Sequence, residues 1–181
     1  KLRTILLYEA DFNHNNKFIG RQMMAQAESM AGLAPEQYGS CKALCAIDHC
    51  LNKRLTFDLM RQTRRTGALL SNDAKSCYDR IVHAFASICM QRVGVPKEPI
   101  ICMFTTIQNL EHTVRTIYGD FKLSFSGKLW LIPIQGVGQE NGAGPAIWAV
   151  VSSPVLNMLR EQGHGSFFDP AILTEKMSMV G

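Results

Sequence analysis

The chain has 181 residues, 46% of them hydrophobic and 19% charged, with a formal net charge of +4. This is the composition of a folded domain or part of a larger one, and it excludes a disordered tail. No apolar run approaches the roughly 18 residues of a membrane span. Lys1 enters a strand-like stretch with neither an initiator Met nor a leader's cleavage pattern, so the expectation is an intracellular (cytoplasmic or nuclear) excerpt of a longer chain. The six cysteines, Cys41, Cys45, Cys50, Cys77, Cys89 and Cys102, form no CxxC pair and are expected to be free thiols.

In chain order, Arg3 to Ala10 reads as a short strand and Asn16 to Ala31 as a helix carrying Phe18, Ile19, Met23, Met24 and Ala27 on its spacing. Gly32 to Ser40 is a loop punctuated by Gly, Pro and Ser. A long helical pattern runs from Leu44 to about Arg65, with Ile47, Leu51, Leu55 and Leu59 along one stripe, and Gly67 ends it. Ala68 to Asn72 is a short apolar run of strand length that delivers Asp73. Ser76 to Arg92 is predicted helical, "GVPKEP" breaks the chain, and Ile100 to Leu110 is a second helix. His112 to Gly127 predicts two strands around Gly119-Asp120, and Leu129 to Ile134 another strand-like piece. "QGVGQENGAGP" is an irregular glycine-rich turn, followed by an apolar helix from Ala146 that Gly163 ends. The order implies a mixed α/β (α+β) domain with a small, mostly antiparallel sheet packed by helices.

Several residues attract attention on chemical grounds. A carboxylate at the end of a buried strand is costly unless a cation neutralises it, so Asp73 is either a metal ligand or the N-cap of the helix that follows. Asp79 reads as structural. Tyr78 is either a packing residue or a neighbour of whatever Asp73 holds. In the glycine-rich turn, Gly136, Gly138, Gly142 and Gly144 let backbone approach a ligand or take positive φ, ahead of a helix N-terminus that favours anions. No Walker or dinucleotide fingerprint closes it. Lys53, Arg54, Arg61, Arg64 and Arg65 crowd one segment, which is either a solvated helix face or a phosphate-facing surface. His49, His83 and His112 read as ordinary helix or strand residues.

In order and spacing, these pieces resemble the reverse transcriptases of non-LTR (LINE-like) retroelements and group II introns, from Arg3 to about Arg160. "LLSNDAKSCYDRI" looks like the family's first palm motif, Asp-x-x-x-Ala-Phe/Tyr-Asp. By that match Asp73 would be a catalytic metal ligand and Tyr78 the aromatic under the incoming sugar. Asp79 would be the second, non-ligand acid. "QGVGQENGAGP" is similar to the second palm motif, Arg-Gly-x-x-Gln-Gly-x-x-x-Ser-Pro, which would place Gly136 and Gln139 at the nucleotide. "PEQYGSCK" is similar to the fingers motif Gln-x-Gly-Phe-Arg, with Gln37, Gly39 and a nucleotide-binding Lys42 in place. "RTILLYEADFN" resembles the fingers segment around Arg-Pro-Ile, with Arg3 at the arginine. "GVPKEPIICMFTTIQNLEHTVRTIYGDFKLSFSG" fits the helix and β-hairpin that lead into the second palm motif.

The resemblance implies a right-hand polymerase fragment, with residues 1–66 as fingers and 67–181 as palm, cut before the Asp-Asp hairpin. It implies an RNA-directed DNA polymerase that takes an RNA template, a DNA primer and dNTP. Two Mg²⁺ (or Mn²⁺) ions would serve it, and the rest of the palm and the thumb would lie in the same parent chain. Arg3, Lys53, Arg54, Arg61, Arg64 and Arg65 would face nucleic acid. The chain also departs from the pattern. Glu140 stands where the family has Gly, Cys41 where it commonly has Arg, Gly144 for Ser and Gln135 for Arg, and no Asp-Asp occurs. The isolated chain is therefore expected to be inactive as a polymerase. The alternatives are a degenerate, non-catalytic RNA-binding remnant, and a structural domain with no ligand in which Asp73 is a helix cap.

Overall fold

The computed structural model describes residues 6–69, 71, 73–127 and 133–164. Over these residues the chain is a mixed α/β structure. Its helices are α1 (Ala10–Ser29), α2 (Ala46–Gln62), α3 (His83–Arg92), α4 (Lys97–Asn109) and α5 (Gly144–Glu161). Strands β1 (Glu111–Thr116) and β2 (Gly119–Ser126) pair antiparallel, and a single 3₁₀ turn spans Tyr78–Arg80.

The core forms where four amphipathic helices turn their apolar sides inward. α5 is flanked by α1 and α3, and α4 packs against α3. Met23, Met24 and Ala27 of α1 share one buried cluster with Met90 and Val93 of the α3 region, Ile100, Met103 and Ile107 of α4, and Ile147 and Val150 of α5. Each large side chain so buried contributes about 1.5–3 kcal/mol. α5 opens with Pro145 in its first turn, where the missing N–H costs nothing.

α2 owes nothing to that core, because none of its residues is buried. It is held locally. Asp48 Oδ2 accepts the Cys45 N–H at 2.8 Å in a capping box, and Asp58 pairs with Arg54 at 3.3 Å and Arg61 at 3.0 Å. The bonds from Cys45 also draw the Asp48 carboxyl below its usual pKa. The apolar stripe predicted for this helix exists but faces outward: Ile47, Leu51 and Leu55 are exposed.

The structure departs from the sequence reading in several places. α1 begins at Ala10, not Asn16, because the side chain of Asn13 bonds outside the helix and does not compete with it. Leu6 to Glu9 is irregular rather than a strand, as are Ala68, Leu69 and Ser71 before Asp73. The single helix expected over Ser76 to Arg92 is broken. Ser76 takes φ +51°, and Ile81 and Val82 are extended, since the carbonyls of Tyr78 and Ile81 accept bonds from far along the chain. The hairpin turns through Ile117-Tyr118, just before Gly119-Asp120, and its residues are not packed by helices. The strand-like piece at 129–132 lies outside the described residues, and Pro133 and Ile134 are irregular. No helix among the described residues is long and apolar enough to cross a membrane.

Candidate functional site

The site is built where the Tyr78 segment meets the glycine turn. Asp79 N–H donates to Ser76 O at 3.1 Å and Arg80 N–H to Cys77 O at 3.2 Å, winding the 3₁₀ turn. That winding leaves the carbonyls of Tyr78 and Ile81 pointing outward. Gly136 N–H donates to Ile81 O and Val137 N–H to Tyr78 O, both at 2.8 Å. Gly136 has φ +83°, and a Cβ there would stand 2.5 Å from Tyr78 O. Only glycine allows this approach. The Tyr78 ring continues the contact, since a Cβ on Gly144 would lie 3.6 Å from its Cδ1.

The segment leading into α1, and the helix itself, close the turn from the other side. Tyr8 Oη donates to Val137 O at 2.8 Å, and Phe12 lies beside the Tyr8 ring with centroids 5.6 Å apart. Burial pushes the Tyr8 phenol above its ordinary pKa. The Asp79 charge pushes the same way, and the Asn141 amide opposes both. Asn13 clamps the far end of the turn: its Oδ1 accepts Gly142 N–H at 2.6 Å and its Nδ2 donates to Glu140 O at 3.1 Å. Glu140 is held there with φ +71°, the left-handed region that favours glycine.

Two clefts flank this junction. One, about 330 Å³, lies between α1, the Ser40–Lys42 turn and the start of α5, with Lys17, Arg21 and Lys42 on its walls and Glu28 as its acid. Glu28 Oε1 already accepts the Lys42 N–H at 2.7 Å. Among the described residues none of the three cations is paired with a carboxylate, so the cleft favours an anion. The other, about 500 Å³, is walled by Val82, Phe85, Trp148 and Val151 with Lys75 and Arg80 at its side.

The structure thus brings Tyr78 against Gly136, with the half-buried Gln139 three residues further along the same turn and Lys42 in the cleft beside the first turn of α5. Asp73 is exposed on irregular backbone. Among the described residues no three His, Cys, Asp or Glu side chains gather as a metal site. Asp73 alone is one ligand and does not make a magnesium centre, so no step is derived through the ion here. Lys53, Arg54, Arg61, Arg64 and Arg65 are exposed on α2 and just beyond it. Arg54 and Arg61 are engaged by Asp58, leaving Lys53, Arg64 and Arg65 without a carboxylate among the described residues. Arg3 lies outside the described residues.

Four residues that shape the turn carried no signal in the sequence reading: Tyr8, Asn13, His83 and Gln108. His83 and Gln108 reach the backbone of the turn at Gly136 and Ile134. An isolated polar residue within an apolar helix pattern, such as Gln108 beside Ile107, is the one hint available. No protein family matches the chain, and neither a curated protein nor a solved structure does.

Proposed function

We propose that this chain is the nucleotide-facing part of a retroelement-type RNA-directed DNA polymerase, comprising fingers and the first part of the palm. The observation that carries the proposal is the pair of backbone bonds joining Tyr78 and Ile81 to Val137 and Gly136. Two motifs distant in sequence are apposed, which supports the reading, and the glycine that makes room is Gly136. In this reading the Tyr78 ring bears on the sugar of a dNTP and Gln139 contacts the nucleotide or its template pair. The cleft of Lys17, Arg21 and Lys42 takes phosphate groups, and Lys53, Arg64 and Arg65 attract the RNA strand. Magnesium, once bound by Asp73 and carboxylates supplied from outside this chain, would supply the charge stabilisation for nucleotidyl transfer. The sequence contains no Asp-Asp pair, so this chain by itself binds and positions but does not polymerise.

Titration with a fluorescent dNTP tests the proposal. Saturable binding is expected, weakened about tenfold or more when Lys42 is replaced by Ala, since a charge-assisted contact is worth about 1.5–3 kcal/mol. Primer extension by the chain alone should give no incorporation. A K42A variant that binds dNTP as tightly as the parent refutes the assignment of the cleft.

The turn also favours a second reading, a non-catalytic RNA-binding remnant. Glu140 sets a carboxylate where phosphates would approach. Cys41 donates to Gln37 O at 3.1 Å, and burial holds its thiol above the ordinary pKa, so it supplies no charge. Salt-sensitive RNA binding without any dNTP binding would decide for the remnant.

A further inference from the structure

His83, at the start of α3, sits beneath the glycine turn with Gln108 of α4 beside it. Their proton order can be worked out from the backbone. The Ile134 N–H can only donate, and its partner at 3.0 Å is Oε1 of Gln108. The other end of that amide is therefore the NH₂ group, which donates to Ile134 O and faces Nδ1 of His83 at 2.9 Å. Nδ1 must then be the acceptor. The single proton of the neutral ring lies on Nε2, which donates to Gly136 O at 2.6 Å. Phe104 stacks on the ring with centroids 4.4 Å apart. Every polar atom of the pair is used, and every bond but the one between them ends on the turn's backbone.

We propose that His83 and Gln108 are positioning residues that latch the glycine turn against the Tyr78 segment while His83 is neutral, and that a proton arriving on Nδ1 releases it. With Nδ1 protonated, two donors would face each other across 2.9 Å, and either the Gln108 amide or the ring must turn away. Turning the amide breaks its bonds to Ile134. Turning the ring breaks the bond to Gly136. Either movement removes a side-chain anchor from the segment whose Gly136 N–H and Val137 N–H are held on Ile81 O and Tyr78 O, and in this proposal those two bonds then open more readily.

Among the described residues no charged group faces the ring. α4 presents Phe104 and Gln108, the turn presents the Gly136 carbonyl, and Ser87 on α3 engages the His83 carbonyl rather than its imidazole. Burial therefore dominates and lowers the pKa below the ordinary imidazole value, with the Gly136 bond opposing. A group depressed in this way stabilises the fold fully above its unfolded pKa, about 6.5, and loses that contribution as pH falls through the folded value. The functional consequence rests on the nucleotide reading above. Gly136 and Gln139 ride on this turn, so acid would weaken dNTP binding.

The test pairs imidazole ¹⁵N NMR with amide hydrogen exchange. At pH 7.5 His83 should be neutral with its proton on Nε2. As pH is lowered through its titration, protection of the Gly136 and Val137 amides, corrected for intrinsic exchange, should fall at least tenfold. Gln108→Glu places a carboxylate beside Nδ1 and should raise the His83 pKa. His83→Phe keeps the stack on Phe104 and should lower protection at every pH, and His83→Gln, which restores a donor toward Gly136 O, should recover part of it. A ring protonated on Nδ1 at pH 7.5, or protection that is flat across the titration, overturns the latch. Binding of dTTP with Mg²⁺ is followed over the same pH range. If protection falls but no dTTP binds at any pH, the latch stands and the nucleotide reading falls.

Discussion

Replacing Gly136 by Ala isolates the contact on which the site depends. At φ +83° a side chain carries the left-handed penalty of about 1–2 kcal/mol. Its methyl would also stand 2.5 Å from Tyr78 O and 2.6 Å from Asp79 Cα, both backbone atoms that no rotamer change can move. Such overpacking costs about 1–3 kcal/mol, and weakening the two bonds to Ile81 and Tyr78 adds about 0.5–1.5 kcal/mol each. A loss of about 3–8 kcal/mol is expected, a large part of the roughly 5–15 kcal/mol that holds a domain together. Gly163→Ala is the matched control. Its φ is +75° but nothing among the described residues lies within 4 Å of the added methyl, so only the backbone penalty of about 1–2 kcal/mol remains. Gly144→Ala meets Tyr78 at an ordinary 3.6 Å within a helix and should be neutral or stabilising by up to about 1 kcal/mol. Urea midpoints of the three variants provide the readout. If G136A shifts the midpoint no more than G163A, the glycine turn does not rest on the Tyr78 segment.

Glu140→Gly should stabilise by about 0.5–1 kcal/mol, because relief of the left-handed backbone exceeds the added freedom of the unfolded chain; an unchanged urea midpoint would contradict the φ of +71°. Replacing Lys53, Arg64 and Arg65 with Gln should reduce the slope of log affinity against log salt for single-stranded RNA by about 2, and an unaltered slope would remove α2 from the nucleic-acid path. Tyr8→Phe loses the bond to Val137 O at a cost of about 0.5–1.5 kcal/mol. The raised Tyr8 pKa means its contribution is present below the unfolded value of about 10 and lost as pH rises through the folded one. The difference in stability between parent and Y8F should therefore shrink above pH 10, measured by denaturant midpoints; a constant difference would show that the phenol does not sense burial.

Much of the helical frame was legible because it is written in local periodicity. α4 and α5 lie close to the stretches where apolar spacing put them, and the hairpin follows from alternating residues around a glycine. The break at Ile81 was not legible. Periodicity continued through it, and what stops the helix is a pair of amides at Gly136 and Val137 taking the carbonyls instead. The sequence reading starts α1 at Asn16 rather than Ala10, which leaves out Asn13. It is a weak helix former whose side chain finds its partners on another loop. The order of motifs brought Tyr78, Gly136, Gln139 and Lys42 to attention. His83 and Gln108 have no spacing signature, since a pair that meets across two helices and otherwise bonds only to the backbone of a third segment leaves no pattern in the letters.

The β1–β2 ribbon carries Ile117 and Tyr118 at its tip, 92% and 94% exposed, and leaves Phe121, Leu123 and Phe125 outside the core as well. Its ladder is irregular between Thr113 and Arg115, and Arg115 grips Asp120 through two bonds near the tip. Among the described residues no further strand pairs with either edge, and a two-stranded ribbon with exposed faces is marginal in water. Greasy and open-edged, this ribbon is, among the described residues, a segment on which a protease or the sheet edge of another molecule could take hold.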